Sequence, residues 1–192
     1  GSSYIPHAVD MDIFSPMEPE IAAAFRKEKN LDDKFVVLWN NRNARRKQSG
    51  SLIYWFKAFL EKNDAYGKAT LIMHTDPKDV HGQDLEAIMQ ELNLLNGEIL
   101  ISKNKVDAID LAGMYNMADV TINISDAEGF GLATLESLSC GTPIIVTMTG
   151  GMQDQVTDGE NWYGIGLEPV SKAIIGSQDV PYIYEDRLSE EQ

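Results

Sequence analysis

Asp126-Ala-Glu-Gly-Phe-Gly-Leu-Ala-Thr-Leu-Glu136, continuing into Ser139-Cys-Gly-Thr-Pro-Ile-Ile145, decides how this chain is read. Just before it, Val120-Thr-Ile-Asn-Ile-Ser125 alternates and is β-branched, which predicts a buried strand. Gly129 and Gly131 allow a tight turn and a close backbone approach to a ligand. Leu132 to Leu138 suits a helix, Gly141-Thr-Pro143 stops it, and another apolar strand follows. Strand, glycine turn and helix start, in that order, aim unpaired backbone N–H groups and a positive dipole end at the space above the sheet, where a phosphate fits. A dinucleotide-binding turn would do the same, but no G-x-G-x-x-G matches here, and that pattern carries no glutamate in the turn.

Working outward, the same alternation of elements runs along the chain. Strands are predicted at Phe35–Trp39, Thr70–Met73, Glu98–Ser102, Val120–Ser125 and Ile144–Thr147. Helices are predicted at Ser51–Lys62 (amphipathic through Leu52, Trp55, Phe56, Phe59 and Leu60), Gln83–Leu94, Asp107–Met117 and Phe130–Ser139. This βαβαβαβαβ order with short connections predicts an α/β fold, a Rossmann-like doubly wound parallel sheet. Ligands of such sheets lie beyond the carboxyl ends of the strands. Three pieces fall there: the loop after Trp39, the loop after Ser102 and the Glu128 turn. Residues 1–16 read as a leading linker, 17–165 as the domain, and 166–192 as a tail. The tail's aromatics fit packing on the domain or against a partner half equally well. No internal repeat or low-complexity segment is visible.

Glu128 and Glu136 have seven residues between them, so one sits in the turn and the other about two helical turns on. A carboxylate beside a phosphate-binding helix start needs a partner, and sugar hydroxyls supply one, since a carboxylate accepts two or more hydrogen bonds from a diol. The plainer alternative is an acidic helix start plus a surface glutamate. The loop Asn40-Asn-Arg-Asn-Ala-Arg-Arg-Lys-Gln48 holds three arginines and a lysine among six residues of an otherwise acidic chain. Such runs are commonly solvated surface, yet this one follows a strand at the ligand edge, where cations compensate a diphosphate.

Other features read as structural. Asp10-Met-Asp12 precedes the first strand and is not taken as a metal site; His7, His74 and His81 lack metal-ligand spacing. Lys103 and Lys105 read as surface charges. Cys140, the single cysteine, excludes an internal disulfide, fits a reducing cytosol and reads as a small core residue. At 192 residues the chain accommodates one α/β domain. Net charge −14 makes nucleic acid and anionic membranes poor partners. No secretory signal and no membrane-spanning apolar run is visible. Gly1-Ser-Ser3 reads as a cloning remnant, which fits an excised piece.

Glu128-Gly-Phe-Gly131 with Glu136, then Cys140-Gly-Thr-Pro-Ile-Ile145 and Gly150-Gly-Met-Gln-Asp-Gln-Val-Thr-Asp-Gly159, resembles the donor-binding half of family-4 glycosyltransferases with their E-x7-E motif. Ile5-Pro-His-Ala-Val-Asp10 with Phe14-Ser-Pro16 is similar to the family's lead into that half. Phe35-Val-Val-Leu-Trp-Asn-Asn-Arg42 with Lys47 is similar to its first strand and basic loop. The resemblance covers roughly residues 4 to 165. It implies the GT-B fold of two facing Rossmann-like domains, of which this would be the C-terminal one.

The resemblance also implies roles. Arg42 and Lys47 would hold the pyrophosphate of a nucleotide sugar and neutralise the leaving nucleoside diphosphate. Glu128 would face the donor sugar, and Glu136 the ribose. Gly129, Phe130, Gly131, Gly150 and Gly151 would approach the sugar and phosphates, and the loop at Ser102 the nucleobase. Two departures stand out: Asn41 and Gln48 occupy positions where the family usually has glycine, and asparagine tolerates left-handed angles. Arg45 or Arg46 could then share the phosphate role. The family implies retention of configuration, no cofactor and no obligatory metal, and an acceptor site on an N-terminal domain missing from this chain. The expected setting is cytoplasmic, with membrane association through the missing half left open. A non-catalytic nucleotide-sugar-binding subunit and a GT-B-like epimerase or phosphorylase remain as alternatives.

Overall fold

Val36, Val37, Leu38 and Trp39 are apolar in unbroken succession and all four are buried. Parallel sheets are covered on both faces, and their strands therefore lose the polar alternation. In the computed structural model, which describes residue 5 and residues 7–191, this run is β1 (Phe35–Asn40) at the centre of a six-stranded sheet. Gly1-Ser-Ser3 and Pro6 of the leading segment lie outside the described residues. The other strands are β2 (Ala69–His74), β3 (Ile99–Ser102), β4 (Val120–Asn123), β5 (Ile144–Thr147) and β6 (Gly164–Leu167). Their order is β3-β2-β1-β4-β5-β6, parallel throughout, with Phe35 opposite Ala69 and Val37 opposite Val120. The element pattern predicts a doubly wound parallel sheet, and this order is one.

Strand residues alternate between faces. Val37 and Trp39 pack with Leu52, Ile53, Phe56 and Leu60 of α2 (Ser49–Lys62) and with Leu85 and Met89 of α3 (Leu85–Glu91). Val36 and Leu38 pack on the opposite side with Ala112, Tyr115 and Met117 of α4 (Ala108–Met117). Phe14 and Leu31 join them there, so the leading segment closes that layer. Asp107 caps α4 by accepting from the Asp110 N–H at 2.9 Å. The helices α5 (Leu132–Ser139) and α6 (Gln153–Val156) flank β4 and β5, with Met152 and Val156 against Ile144 and Val146. Cys140, predicted as a core residue, is buried.

Several elements were not anticipated, the short helix α6 among them. Pro19–Glu28 forms α1, which buries no residue and is tied down by Arg26, donating to Met117 O at 3.2 Å and Asp119 Oδ1 at 3.1 Å. The strand β6 extends the sheet beyond β5 despite its two glycines. The tail then folds into an antiparallel hairpin, β7 (Ser171–Ile174) and β8 (Tyr184–Arg187), with Ser171 opposite Arg187. No helix among the described residues is long and apolar enough to cross a membrane.

Candidate functional site

After β1 the chain turns toward β2, and after β4 it turns the other way toward β5, so the two loops part and leave a crevice between them. This is the topological switch point where ligands of open α/β sheets bind. The loop after β1 brings Lys47 to the crevice, and the loop after β4 brings Glu128, and the two form a close ion pair. Their side chains are 8% and 12% exposed, so the pair is nearly dry. Burial pushes the Lys47 ammonium below its usual pKa in spite of the carboxylate beside it. Arg46 stands 3.8 Å from the same carboxylate and donates to Ala127 O at 2.6 Å.

The pair opens onto a cleft of about 330 Å³ lined by His7, Asn41, Phe130, Gly131, Leu132 and Ala133. Gly131 is the residue before α5 and holds φ at +86°, a left-handed angle that disfavours any side chain. No side chain caps α5, so its first N–H groups face the cleft unpartnered by a cap. The glycine pair after β5 backs this turn. Gly150 has φ +51°, and a Cβ there would collide with the Glu128 carbonyl oxygen; Gly151 N–H donates to Gly129 O at 3.2 Å. Gly129, Phe130, Gly131, Gly150 and Gly151 therefore form one packed unit around Glu128.

The remaining predicted residues sit elsewhere. Arg42 turns outward and forms a two-pronged pair with Asp79, at 2.6 and 3.1 Å, on the loop after β2. The guanidinium holds the Asp79 carboxyl down at about 2. Glu136 lies inside, where it accepts from the Tyr115 hydroxyl at 2.7 Å; that hydroxyl in turn accepts from Asn40 Nδ2 at 2.7 Å. Burial raises the Glu136 pKa, and the phenol offsets this only in part. Ser102 ends β3 beside His74, with Oγ to Nδ1 at 2.9 Å, and burial lowers the His74 pKa.

The two departures resolve differently from the expectation placed on Asn41. The left-handed residue of the basic loop is Gln48, at φ 56° and ψ 35°, where α2 begins. A glutamine there is held by its own amide, donating to Asp126 Oδ2 at 2.6 Å and accepting from Ser51 Oγ at 2.7 Å. Sequence reasoning passed over Tyr115 and Glu185, and it misplaced His7 and Arg45. His7, read as structural, lies on Phe130 with ring centroids 4.9 Å apart. Tyr115 bridges Asn40 to Glu136, and its place on the inward face of a helix next to a motif glutamate was the available signal. Arg45 is held by Glu185 of the tail, for which the sequence offers no local cue.

Chemically, a buried cation, a facing carboxylate and a helix start in one crevice can bind an anion and a polyol side by side. The chain has relatives. Residues 21–173 match the family model described as glycosyl transferases group 1. The chain is 31% identical over 165 residues to a D-inositol 3-phosphate glycosyltransferase of Geodermatophilus obscurus, a match that takes in 81% of this chain and 34% of that protein. It thus spans about a third of that relative's length. Among solved structures, sucrose-phosphate synthase of Thermosynechococcus elongatus superposes with a TM-score of 0.70 at 29% identity, over 87% of this chain and 39% of that one. The C-terminal domain of a glycosyl transferase group 1 family protein of Francisella tularensis superposes with a TM-score of 0.68 at 24% identity, over 85% and 82% of the two chains. The Rossmann-like sheet with its crevice is the fold of one half of a GT-B glycosyltransferase, and the chain belongs to the group 1 glycosyl transferases.

Proposed function

We propose that this chain is the donor-binding half of a retaining glycosyltransferase of family 4. It would take a nucleotide-activated sugar and present it to an acceptor held by a facing N-terminal domain. The observation that carries this reading is the Lys47–Glu128 pair at the switch point, walled by Phe130 and the start of α5.

In this reading the diphosphate lies between Lys47 and the N–H groups that follow Gly131. Negative charge builds on it as the anomeric bond breaks, so fixed cations and dipoles stabilise the transition state more than the ground state. Arg46 is close enough to share the load, and Arg42 would exchange its exposed pair with Asp79 for a phosphate oxygen. Glu128, released from Lys47 as phosphate arrives, would accept from donor hydroxyls and favour the electron-poor anomeric carbon. Glu136 would hold the ribose diol while Tyr115 fixes its second oxygen. Gly150 and Gly151 keep the Glu128 turn in place, and the loop at Ser102 would receive the nucleobase. Cationic side chains and N–H groups supply the counter-charge, so the reading requires neither a metal nor another cofactor. A cytoplasmic setting belongs to the same proposal and fits the buried Cys140, whose thiol burial pushes up to about 11.

Calorimetric titration of the 192-residue chain with UDP, GDP and ADP tests this. Binding of at least one is expected, with a loss of at least tenfold, about 1.4 kcal/mol, in Lys47→Ala. Glu128→Gln should leave that affinity within about twofold while abolishing most transfer once the facing domain is supplied. Absence of binding by all three nucleotides would sink the proposal.

A further inference from the structure

The tail hairpin reaches both loops of the crevice, and it does so two residues upstream of each paired side chain. Glu185 on β8 is nearly buried, with its side chain 3% exposed. It accepts both prongs of Arg45, at 2.9 and 2.7 Å, and a third bond from Arg187 at 3.0 Å. Arg187 also pairs closely with Asp126, whose side chain is 4% exposed. Asp126 accepts from Gln48 at 2.6 Å, and its backbone N–H donates to Arg46 O at 2.8 Å. The Asp186 N–H donates to Asp126 O at 2.9 Å, which fixes β8 to the same loop. Arg45 stands two residues before Lys47, and Asp126 two residues before Glu128.

We infer that Glu185 and Arg187 are positioning residues of the site: the hairpin braces the loop after β1 against the loop after β4 and so sets the spacing of Lys47 and Glu128. β8 lies beyond residues 21–173, the part that matches the family. Two arginines and two carboxylates balance in charge, and both Glu185 oxygens and Asp126 Oδ2 accept bonds, so the two nearly buried carboxylates are compensated by cations that reach them from the surface. Burial raises the pKa of Asp126, while for Glu185 Arg45 and Arg187 more than offset the effect of burial and hold the pKa down. A network of this kind contributes little net stability but admits one geometry. Geometry is what a two-loop anion site needs, because displacements of about 1 Å cost a site most of its advantage. The bidentate grip also directs Arg45 to the hairpin rather than to the cleft, which leaves Lys47 as the buried cation there.

The inference rests on the diphosphate reading of the crevice for its purpose, so its test has one arm without nucleotide. Glu185→Gln keeps shape and removes charge. In the ligand-free 192-residue chain, amide exchange at Asp126 should quicken at least tenfold, with β1 and β2 amides unchanged. With UDP, GDP or ADP, whichever binds the parent, affinity should fall at least fivefold. Arg45→Gln should lower affinity by a similar factor, and the double variant Arg45→Gln with Glu185→Gln should lower it no further than either single change. A tail that serves stability alone predicts uniform acceleration of exchange and unchanged affinity below the melting transition, and that result overturns the inference. So does a gain in affinity on freeing Arg45. If no nucleotide binds the parent, the diphosphate reading falls, and exchange at Asp126 by itself decides whether the brace exists.

Discussion

The turn at Glu128 and the helix at Glu136 carry the same side chain in one short motif, yet they surround it in opposite ways. Glu128 faces a cation from a neighbouring loop, Lys47, with Arg46 behind it. Glu136 faces a neutral phenol, Tyr115, rooted in the core and itself bonded to Asn40. A cation is a partner that an incoming phosphate can claim, so Glu128's environment changes when an anion arrives. A buried hydroxyl is not, so one oxygen of Glu136 stays committed and the other is left to offer. The motif thus pairs a switchable carboxylate with a fixed one, and the difference lies in the partners and not in the glutamates.

The largest effect should come from breaking the switchable side. Lys47→Met leaves a nearly buried carboxylate with Arg46 at 3.8 Å and the Gly129 N–H at 3.2 Å. We expect a loss of about 3 kcal/mol in urea unfolding at pH 7, the lower end for removing one partner of a buried pair. Adding Glu128→Gln to Lys47→Met should recover more than half of it, because the uncompensated charge disappears. If the double variant is no more stable than Lys47→Met, the pair is not acting as a charge pair.

A smaller effect is expected on the fixed side. Tyr115→Phe removes one hydroxyl that serves two partners, Glu136 and Asn40. Tyr115 is fully buried, so water does not readily replace it. The expected cost is about 1–3 kcal/mol, the range for stranding buried polar groups. Equal losses in Tyr115→Phe and Lys47→Met would erase the distinction between the two carboxylates.

Much of this was legible in the sequence because the signals are local. β-branched runs mark β1, β2, β4 and β5, and Asp107 marks the start of α4. Lys47 and Glu128 could be brought to one edge because each follows a strand, and in a parallel doubly wound sheet those strand ends lie on the same side. What escaped has a physical reason in each case. Gly164-Ile-Gly-Leu167 reads poorly as a strand because glycine weakens one, yet β5 templates it. Ile21-Ala-Ala-Ala-Phe25 offers only two large apolar side chains, and α1 buries neither, so its helical pattern was passed over. Arg42 meets Asp79 across 37 residues, and Arg45 meets Glu185 across 140. Charge partners at such separations leave no periodic trace, so a loop of four cations could be seen but not how it divides them.

The smallest expected effect concerns acid, and it tests the sign of each carboxylate's environment. Burial holds the folded Glu136 pKa above its ordinary 4.5. A proton is then bound more tightly when folded than when unfolded. Its contribution to stability is fully present below 4.5 and is lost as pH rises through the folded value. The Arg42 pair acts the other way. Asp79 falls from 3.8 to about 2 when folded, so its contribution is present above 3.8 and is lost as pH falls toward about 2. Urea midpoints between pH 2 and 7 for the parent, Glu136→Gln and Asp79→Asn separate the two. Relative to the parent, Glu136→Gln should gain ground as pH rises past about 4.5. Asp79→Asn should differ least near pH 2 and slightly more above 4, because an exposed pair is screened by solvent. Should Glu136→Gln instead lose ground with rising pH, the charged form of Glu136 is favoured by the fold. The fixed carboxylate would then have a cationic environment like that of Glu128, and the contrast between the two halves of the motif would disappear.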